Sequence, residues 1–494
     1  MNGFKICYVS SEVAPFANSG QLGDLANYAR SLPVSLKETE QDIRLMMPKY
    51  KSINERKFTL REVIRLREVP VSLNGDTRMA NGKTAFLPNS KVHVYFLSFP
   101  DFFDRKGIYA EPGDKGTYDD NAQRFAYFCR GVLETLKLLY WQPDIIHCND
   151  WSTALIPFYL KTDFAEDEFF SNTRTVLSIN NIQEQGLFDK NLAPTLGIDN
   201  GHLKKGGPFL VKDQISFLRA GLTFADQIVI TGKNAADNLM DKPAQAGALK
   251  ELLQERAGEI SGAGKGASYV EWDPENDKYI TYHYDAKSPE RKDENKGELQ
   301  NDFNLEQNTE LPLLGMIGDL SEASGFPVFL EAIGDLLKKD LQVVVMPQGP
   351  TVFVDAMETL EAEFSGRFKM VEKYDKKLAH RIMAAADMML IPSVSGMSGE
   401  NHLIGLRYGT LPVLINSGDY PDDISDFDPD SASGNGFMFD KLNKSAVEKA
   451  VLRALKVYAD REGWRRLQET VMMQDHSWNQ VSENYLRIYQ KAGL

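Results

Sequence analysis

Cysteine is scarce in this chain. Three occur in 494 residues, Cys7, Cys129 and Cys148, and none stands at metal-ligand spacing, so no zinc or iron–sulfur framework can be drawn from them. Cys7 and Cys148 lie in apolar runs, where a buried thiol is the default. This usage fits a reducing cytoplasm. Positive charge is also short: 56 basic residues against 70 acidic ones give a net charge of -14, which argues against a nucleic-acid partner and leaves no basic stripe for an anionic membrane surface. No stretch is long and apolar enough to span a bilayer. The opening "MNGFKICYVSSEVAPFA" turns polar too soon for a signal peptide and reads as a first strand.

What the chain does have is length and a rhythm. With 42% hydrophobic residues it can bury more than one core, and two domains are the natural count. Short apolar runs alternate with helical patterns: "FKICYVSS", "VHVYFLSF", "DIIHCND", "TVLSINN" and "DQIVITG", then "LLGMIGDL", "LQVVVMPQG", "DMMLIPS" and "LPVLINSG". Such runs read as buried parallel strands. The expected fold is α/β, two doubly wound domains facing a cleft. The first is expected over 1–250, rejoined by a C-terminal helix at 475–494, and the second over 311–474. Between them, 251–310 carries "AKSPERKDENKGELQND", too poor in apolar residues for a core, and is expected to be a polar linker.

Several ordered segments carry a resemblance. "SSEVAPFANSGQLGDL", "PDIIHCNDW", "INNIQEQGLF", "FLRAGLTFAD", "WDPENDKY", "ADMMLIPS", "LRYGTLPV", "NGFMF" and "SWNQVSENY" resemble, in order, bacterial glycogen synthases and plant starch synthases, glycosyltransferase family 5. The resemblance implies the GT-B fold and transfer of glucose from ADP-glucose to the non-reducing end of an α-1,4-glucan. It also implies which positions bind substrate: Gly20, Asp24, His147, Asp150, Asn181, Gln185, Gly399 and Glu400 are the matching candidates. No metal or other cofactor is implied.

The departures from the family pattern are concentrated where its chemistry lies. Its first loop runs K-T-G-G-L-x-D; here "NSGQLGD" puts Asn18 in place of the lysine and Gln21 in place of the second glycine, while Gly20, Leu22 and Asp24 still fit. T-I-H-N becomes "SINN", so Asn180 replaces a histidine, and an amide cannot act as an imidazole would. S-R-L-x-x-Q-K-G becomes "GDLSEASG", with Asp319 for the arginine and Ser324 for the lysine that clamp the diphosphate. P-S-x-x-E-P-C-G-L-T becomes "PSVSGMSGEN", with Gly396 for the glutamate that holds the donor glucose. Gly399 survives to open the helix, and Glu400 follows it. The Glu400 carboxylate is expected to satisfy that helix's free N–H groups itself, filling the anion site with a built-in anion. Asp319 and Glu400 are both expected to face the diphosphate position.

Each lost group that stabilises developing charge costs about 3 kcal/mol, so three lost cations amount to roughly 8–10 kcal/mol, or ~10⁶-fold in rate, as a non-additive upper bound. His147 and Asp150 follow a strand end, where sites are built, and capping or packing is the competing reading. Glu184 reads as a solvated loop residue, and His402 as a packing or capping group. Trp141, Trp151 and Trp478 could stack on sugars, though core packing is the commoner use. Three functions remain open: a degenerate synthase that binds glucan or regulates an active synthase, a transferase with another donor, and an interaction scaffold. The expected partners are an α-glucan and an active glycogen enzyme.

Overall fold

The computed structural model describes residues 3–19, 24–113, 116–241, 243–322, 324–349, 351–393, 400–418 and 420–493. Its contacts divide the chain into two compact units, Met1–Gly264 with Val481–Leu494, and Lys265–Gln480.

The first unit is built on a ten-stranded sheet. Its parallel part runs, in spatial order, Ile260–Ala263, Gln227–Thr231, Arg174–Ile179, Ile145–Asn149, Lys5–Val9, Asp42–Pro48 and His93–Ser98. The antiparallel edge is Asp76–Phe86, which pairs with Arg61–Glu62 and Val69–Leu73. Ile145–Asn149 is buried at every position, as the reading of an unbroken apolar run required. Asp42–Pro48 is a central strand that the sequence reading passed over, because Asp42 and Arg44 interrupt its apolar run. Those two charges are accommodated by Trp141, whose indole N–H donates to Asp42 Oδ2 at 2.9 Å while the Arg44 guanidinium lies 4.4 Å from the ring centre.

The second unit has six parallel strands in the order Phe368–Met370, Gln342–Pro347, Leu313–Gly318, Met388–Ile391, Leu411–Ile415 and Phe437–Phe439. Every residue of Leu313–Gly318 and of Gln342–Pro347 is buried. All nine apolar runs read from the sequence are strands of these two sheets.

The stretch 251–310 is not a linker. Ile260–Ala263 is a strand of the first sheet, the chain passes between units at Gly264 and Lys265, and residues 265–310 belong to the second unit. The polar composition of this stretch has a physical reason. On the helix Lys292–Asp302 the polar side chains are themselves buried: Lys292 Nζ donates to the carbonyls of Met383 and Ala384 and to Thr410 Oγ1, at 3.2, 2.9 and 2.9 Å. One turn on, Lys296 pairs with Asp387 at 2.7 Å with both side chains almost wholly buried. Lys292 satisfies the last carbonyls of the neighbouring helix Lys376–Ala385, and Lys296 those of Thr309 and Leu311, so a segment without apolar periodicity still packs inside. Burial lowers the Lys292 ammonium to about 7.

Candidate functional site

In both sheets the candidate residues sit at the carboxyl ends of parallel strands, where open α/β sheets bind ligands. In the first unit, Asp150 follows Ile145–Asn149 in a left-handed conformation (φ 55°), which a non-glycine residue adopts only at a cost of order 1–3 kcal/mol. Its buried carboxyl holds the next strand end: one oxygen accepts from the Asn180 and Asn181 backbone N–H groups at 2.8 and 3.3 Å, and the other from Asn180 Nδ2 at 2.9 Å. Burial pushes the carboxyl up to about 7, against these hydrogen bonds, which lower it. Asn181 Oδ1 in turn accepts from the Gln183 N–H at 3.0 Å, so the loop is shaped by two short polar side chains.

Gln185 contributes its backbone: its carbonyl accepts from Leu218 N and Ser216 Oγ. Its Oε1 is buried with no partner among the described residues. Gly186 follows with φ 59° and its α-carbon close against Trp151; a Cβ there would meet the indole at 2.6 Å. Trp151 itself packs among Tyr109, Phe125 and Phe217 and is a core residue. Glu184 is exposed, as a solvated loop residue would be.

His147 is one residue position too deep to meet a ligand. It is fully buried, with Nδ1 2.7 Å from the Tyr489 hydroxyl and Nε2 2.7 Å from Ser178 Oγ. Ser178 continues to Tyr485, and Tyr485 to Tyr28. This network seats the C-terminal helix Trp478–Lys491, through Tyr485 and Tyr489, on the first sheet. Both ring nitrogens are occupied by protein, and burial lowers the imidazole to about 3. Its role is packing and positioning.

The first loop is organised by Glu12, for which no local pattern in the sequence gives a signal. This buried carboxylate accepts from both the backbone N–H and the hydroxyl of Ser19. Burial raises its pKa, against the Ser19 hydrogen bonds. Asn18 is exposed beside it. Gly20, Gln21 and Leu22 lie outside the described residues. Asp24 precedes the helix Leu25–Glu38 without capping its N–H groups by its side chain and accepts instead from Asn27 Nδ2 at 2.8 Å.

In the second unit, Asp319 follows Leu313–Gly318 and its carboxylate accepts from Ser321 Oγ at 2.6 Å. Ser324 is buried; its hydroxyl donates to the Ser321 carbonyl at 2.8 Å and accepts from the Ser321 N–H at 3.1 Å. Both side chains are thus held by Ser321. Asp319 and Ser324 line one small pocket together with Met316, Leu390 and Ser393. Gly396 and Gly399 lie outside the described residues.

Glu400 occupies the N-cap position of Asn401–Arg407, yet its side chain makes no capping hydrogen bond. The Glu400 carboxylate therefore does not fill the helix mouth as the built-in anion expected from the sequence. Glu400 Oε1 accepts instead from the Trp478 indole N–H at 3.1 Å. Trp478 is buried, with this polar handle satisfied. His402 is buried against the Tyr420 ring, with Nε2 3.6 Å from Asp423 Oδ2.

Two Rossmann-like units, each with a parallel sheet whose carboxyl edge carries the candidate residues, define a GT-B glycosyltransferase architecture. Residues 5–255 match the family model described as starch synthase catalytic domain. The chain is 34% identical to a glycogen synthase of Desulforudis audaxviator, over 99% of its own length and 96% of that protein's, and equally to one of Syntrophotalea carbinolica, over 99% and 98%. Its fold is similar to that of the catalytic domain of Starch Synthase IV from Arabidopsis thaliana bound to ADP and acarbose, with a TM-score of 0.83 and 24% identity over 99% of each chain. A sucrose-phosphate synthase of Thermosynechococcus elongatus is similar at a TM-score of 0.57. The chain belongs to the glycogen synthase and starch synthase family, glycosyltransferase family 5.

Proposed function

We propose that this protein is a family member in which the ADP-glucose chemistry has been lost or strongly impaired, and which serves glycogen metabolism by binding an α-glucan or an active synthase. The observation that carries this reading is the loop 319–325. At the two positions where the resemblance calls for a diphosphate-clamping arginine and lysine stand Asp319 and Ser324, and each is hydrogen-bonded to Ser321. An anion placed there would meet a carboxylate in place of two cations, and transfer with a diphosphate leaving group needs that charge neutralised. In the first unit Asn180, where the resemblance calls for a histidine, points its amide into Asp150. An amide so held offers neither a basic nitrogen nor an exchangeable proton of useful acidity.

The glucan side of the reading rests on the carboxyl end of the first sheet, where Asn181 and Gln185 still stand in the family's order, on a loop whose shape Asp150 holds from beneath. Side-chain amides recognise sugar hydroxyls without any need for cations. The test is calorimetric titration with ADP-glucose and with a maltooligosaccharide, run in parallel, together with a glucosyl-transfer assay on glycogen. The expected outcome is heat with the oligosaccharide, none with ADP-glucose, and no transfer. Robust turnover with ADP-glucose would restore the ordinary synthase assignment. Turnover with another activated sugar only would favour a changed donor.

A further inference from the structure

Lys296 has more oxygen around its ammonium than three N–H groups can use. Its Nζ lies 2.7 Å from Asp387 Oδ2, 2.8 Å from the Thr309 carbonyl, 2.9 Å from the Tyr458 hydroxyl and 3.1 Å from the Leu311 carbonyl. An ammonium donates three hydrogen bonds and accepts none. Four oxygens thus converge on one point, as they do around an ion whose attraction has no fixed direction. The lysine side chain is fully buried and that of Asp387 is 3% exposed, so water does not compete for these oxygens.

The fold places these oxygens independently of the lysine. Asp387 stands just before Met388–Ile391; its backbone N–H donates to the Leu313 carbonyl at 2.9 Å, and its Oδ2 accepts from the Leu313 N–H at 2.7 Å. The carboxylate is thereby pinned between the amino ends of two central strands, at the sheet edge opposite the candidate residues. Thr309 and Leu311 lie in the turn that leads into Leu313–Gly318. Tyr458 is the last residue of the helix Lys444–Tyr458. The Arg461 guanidinium lies 4.3 Å from its ring centre, paired with Asp293 and Glu310 at 3.3 Å each, and covers the ring from outside.

Charge and spacing decide which ion such a site fits. One carboxylate among three neutral oxygens balances a single positive charge, and a divalent ion would leave charge uncompensated in a buried place. Oxygens at 2.7 to 3.1 Å from the centre suit an ion of ammonium or potassium size; a lithium ion is too small to touch all of them at once. Lys292, one turn earlier, provides the contrast. Its Nζ donates to the Met383 and Ala384 carbonyls and to Thr410 Oγ1, all neutral, so an ion at that point would have no carboxylate in contact.

We propose that the Lys296 ammonium is a built-in monovalent cation: it fills a site formed by Asp387, Tyr458 and the Thr309 and Leu311 carbonyls, and that site takes up potassium or ammonium when the lysine's amino group is absent. The inference concerns the second unit alone and stands whether or not the protein binds glucan. Lys296→Met tests it, because methionine keeps the apolar stem, leaves the space of one atom at Nζ and strands the Asp387 charge. Urea unfolding of the full chain is compared in the chlorides of potassium, ammonium, lithium and choline at equal ionic strength, where screening is the same. The folding equilibrium constant of Lys296→Met is expected to be about tenfold higher in potassium or ammonium than in choline, the gain from a site of Kd ~10 mM at about 0.1 M ion, with lithium close to choline. The wild type and Lys292→Met are expected to show no such preference. Equal stability of Lys296→Met in all four salts, its failure to fold in any of them, or the same potassium gain in Lys292→Met overturns the proposal. The ¹⁵N spectrum of the wild-type lysine side chains decides it independently of the variants: Lys296 is expected as an ammonium at pH 7 whose protons exchange far more slowly than those of surface lysines, and a neutral amine or surface-like exchange overturns it.

Discussion

Asp150 grips Asn180 at both ends, taking its backbone N–H on one carboxyl oxygen at 2.8 Å and its side-chain amide on the other at 2.9 Å. The arrangement fixes the strand end after Arg174–Ile179 and at the same time commits the Asn180 amide as a donor. A residue so committed holds the loop in shape and has no free chemistry of its own.

Single reversions toward the family pattern should therefore recover little. Groups that act as one unit are non-additive, so Asn180→His or Asp319→Arg alone is expected to leave glucosyl transfer undetectable. The combined variant Asn18→Lys, Asn180→His, Asp319→Arg, Ser324→Lys, Gly396→Glu and Glu400→Leu is the one expected to gain turnover. The check is a glycogen-labelling assay with ADP-glucose; full rescue by any single change would contradict the account.

Two buried groups of the first unit should give its stability opposing pH dependences. Asp150 is raised from 3.8 to about 7, so the folded state holds a proton that the unfolded state releases; this stabilisation is complete below the unfolded value and is lost as pH rises through about 7. His147 is lowered from 6.5 to about 3, so the unfolded state binds a proton that the folded state refuses; stability is lost as pH falls below 6.5 toward 3. Each shift of about three units corresponds to roughly 4 kcal/mol at full effect. In the wild type the two slopes offset one another between pH 4 and 6.5. Thermal unfolding across that range is expected to show a steeper acid loss in Asp150→Asn and a reduced or reversed loss in His147→Gln. Parallel profiles for both variants and the wild type would rule this out.

Lys292 should be a structural residue of the second unit. Lys292→Met keeps the apolar stem and removes the donors, leaving the Met383 and Ala384 carbonyls and Thr410 Oγ1 without them. The expected cost is about 3 kcal/mol, as for a buried polar network that loses one partner. In urea unfolding followed by hydrogen exchange, protection should drop over Lys376–Ala385 and Lys292–Asp302 and hold in the sheet of the first unit. A change below about 0.5 kcal/mol, typical of a surface site, would show that the lysine is replaceable.

The sequence by itself determined the strand runs, the two α/β units and the family, because each rests on local periodicity or on residue order along the chain. Nine apolar runs could be read as strands without knowing what they pack against, since burial on both faces of a parallel sheet leaves an unbroken apolar signature. Tertiary structure decided which polar group meets which. Glu400 can be placed at a helix start from its neighbours, but the indole N–H that its carboxylate accepts from is that of Trp478, 78 residues further on. His147 looked like a strand-end ligand until Tyr489, 342 residues distant, took one of its nitrogens. The helix Lys292–Asp302 carries no apolar stripe; Lys292 is inside because the carbonyl end of another helix meets it there, and Lys296 because Asp387 and the Thr309 and Leu311 carbonyls do. A pattern of spacing reports which face of an element is buried; the partner of a buried polar atom is chosen by how distant elements pack, and no local spacing encodes it.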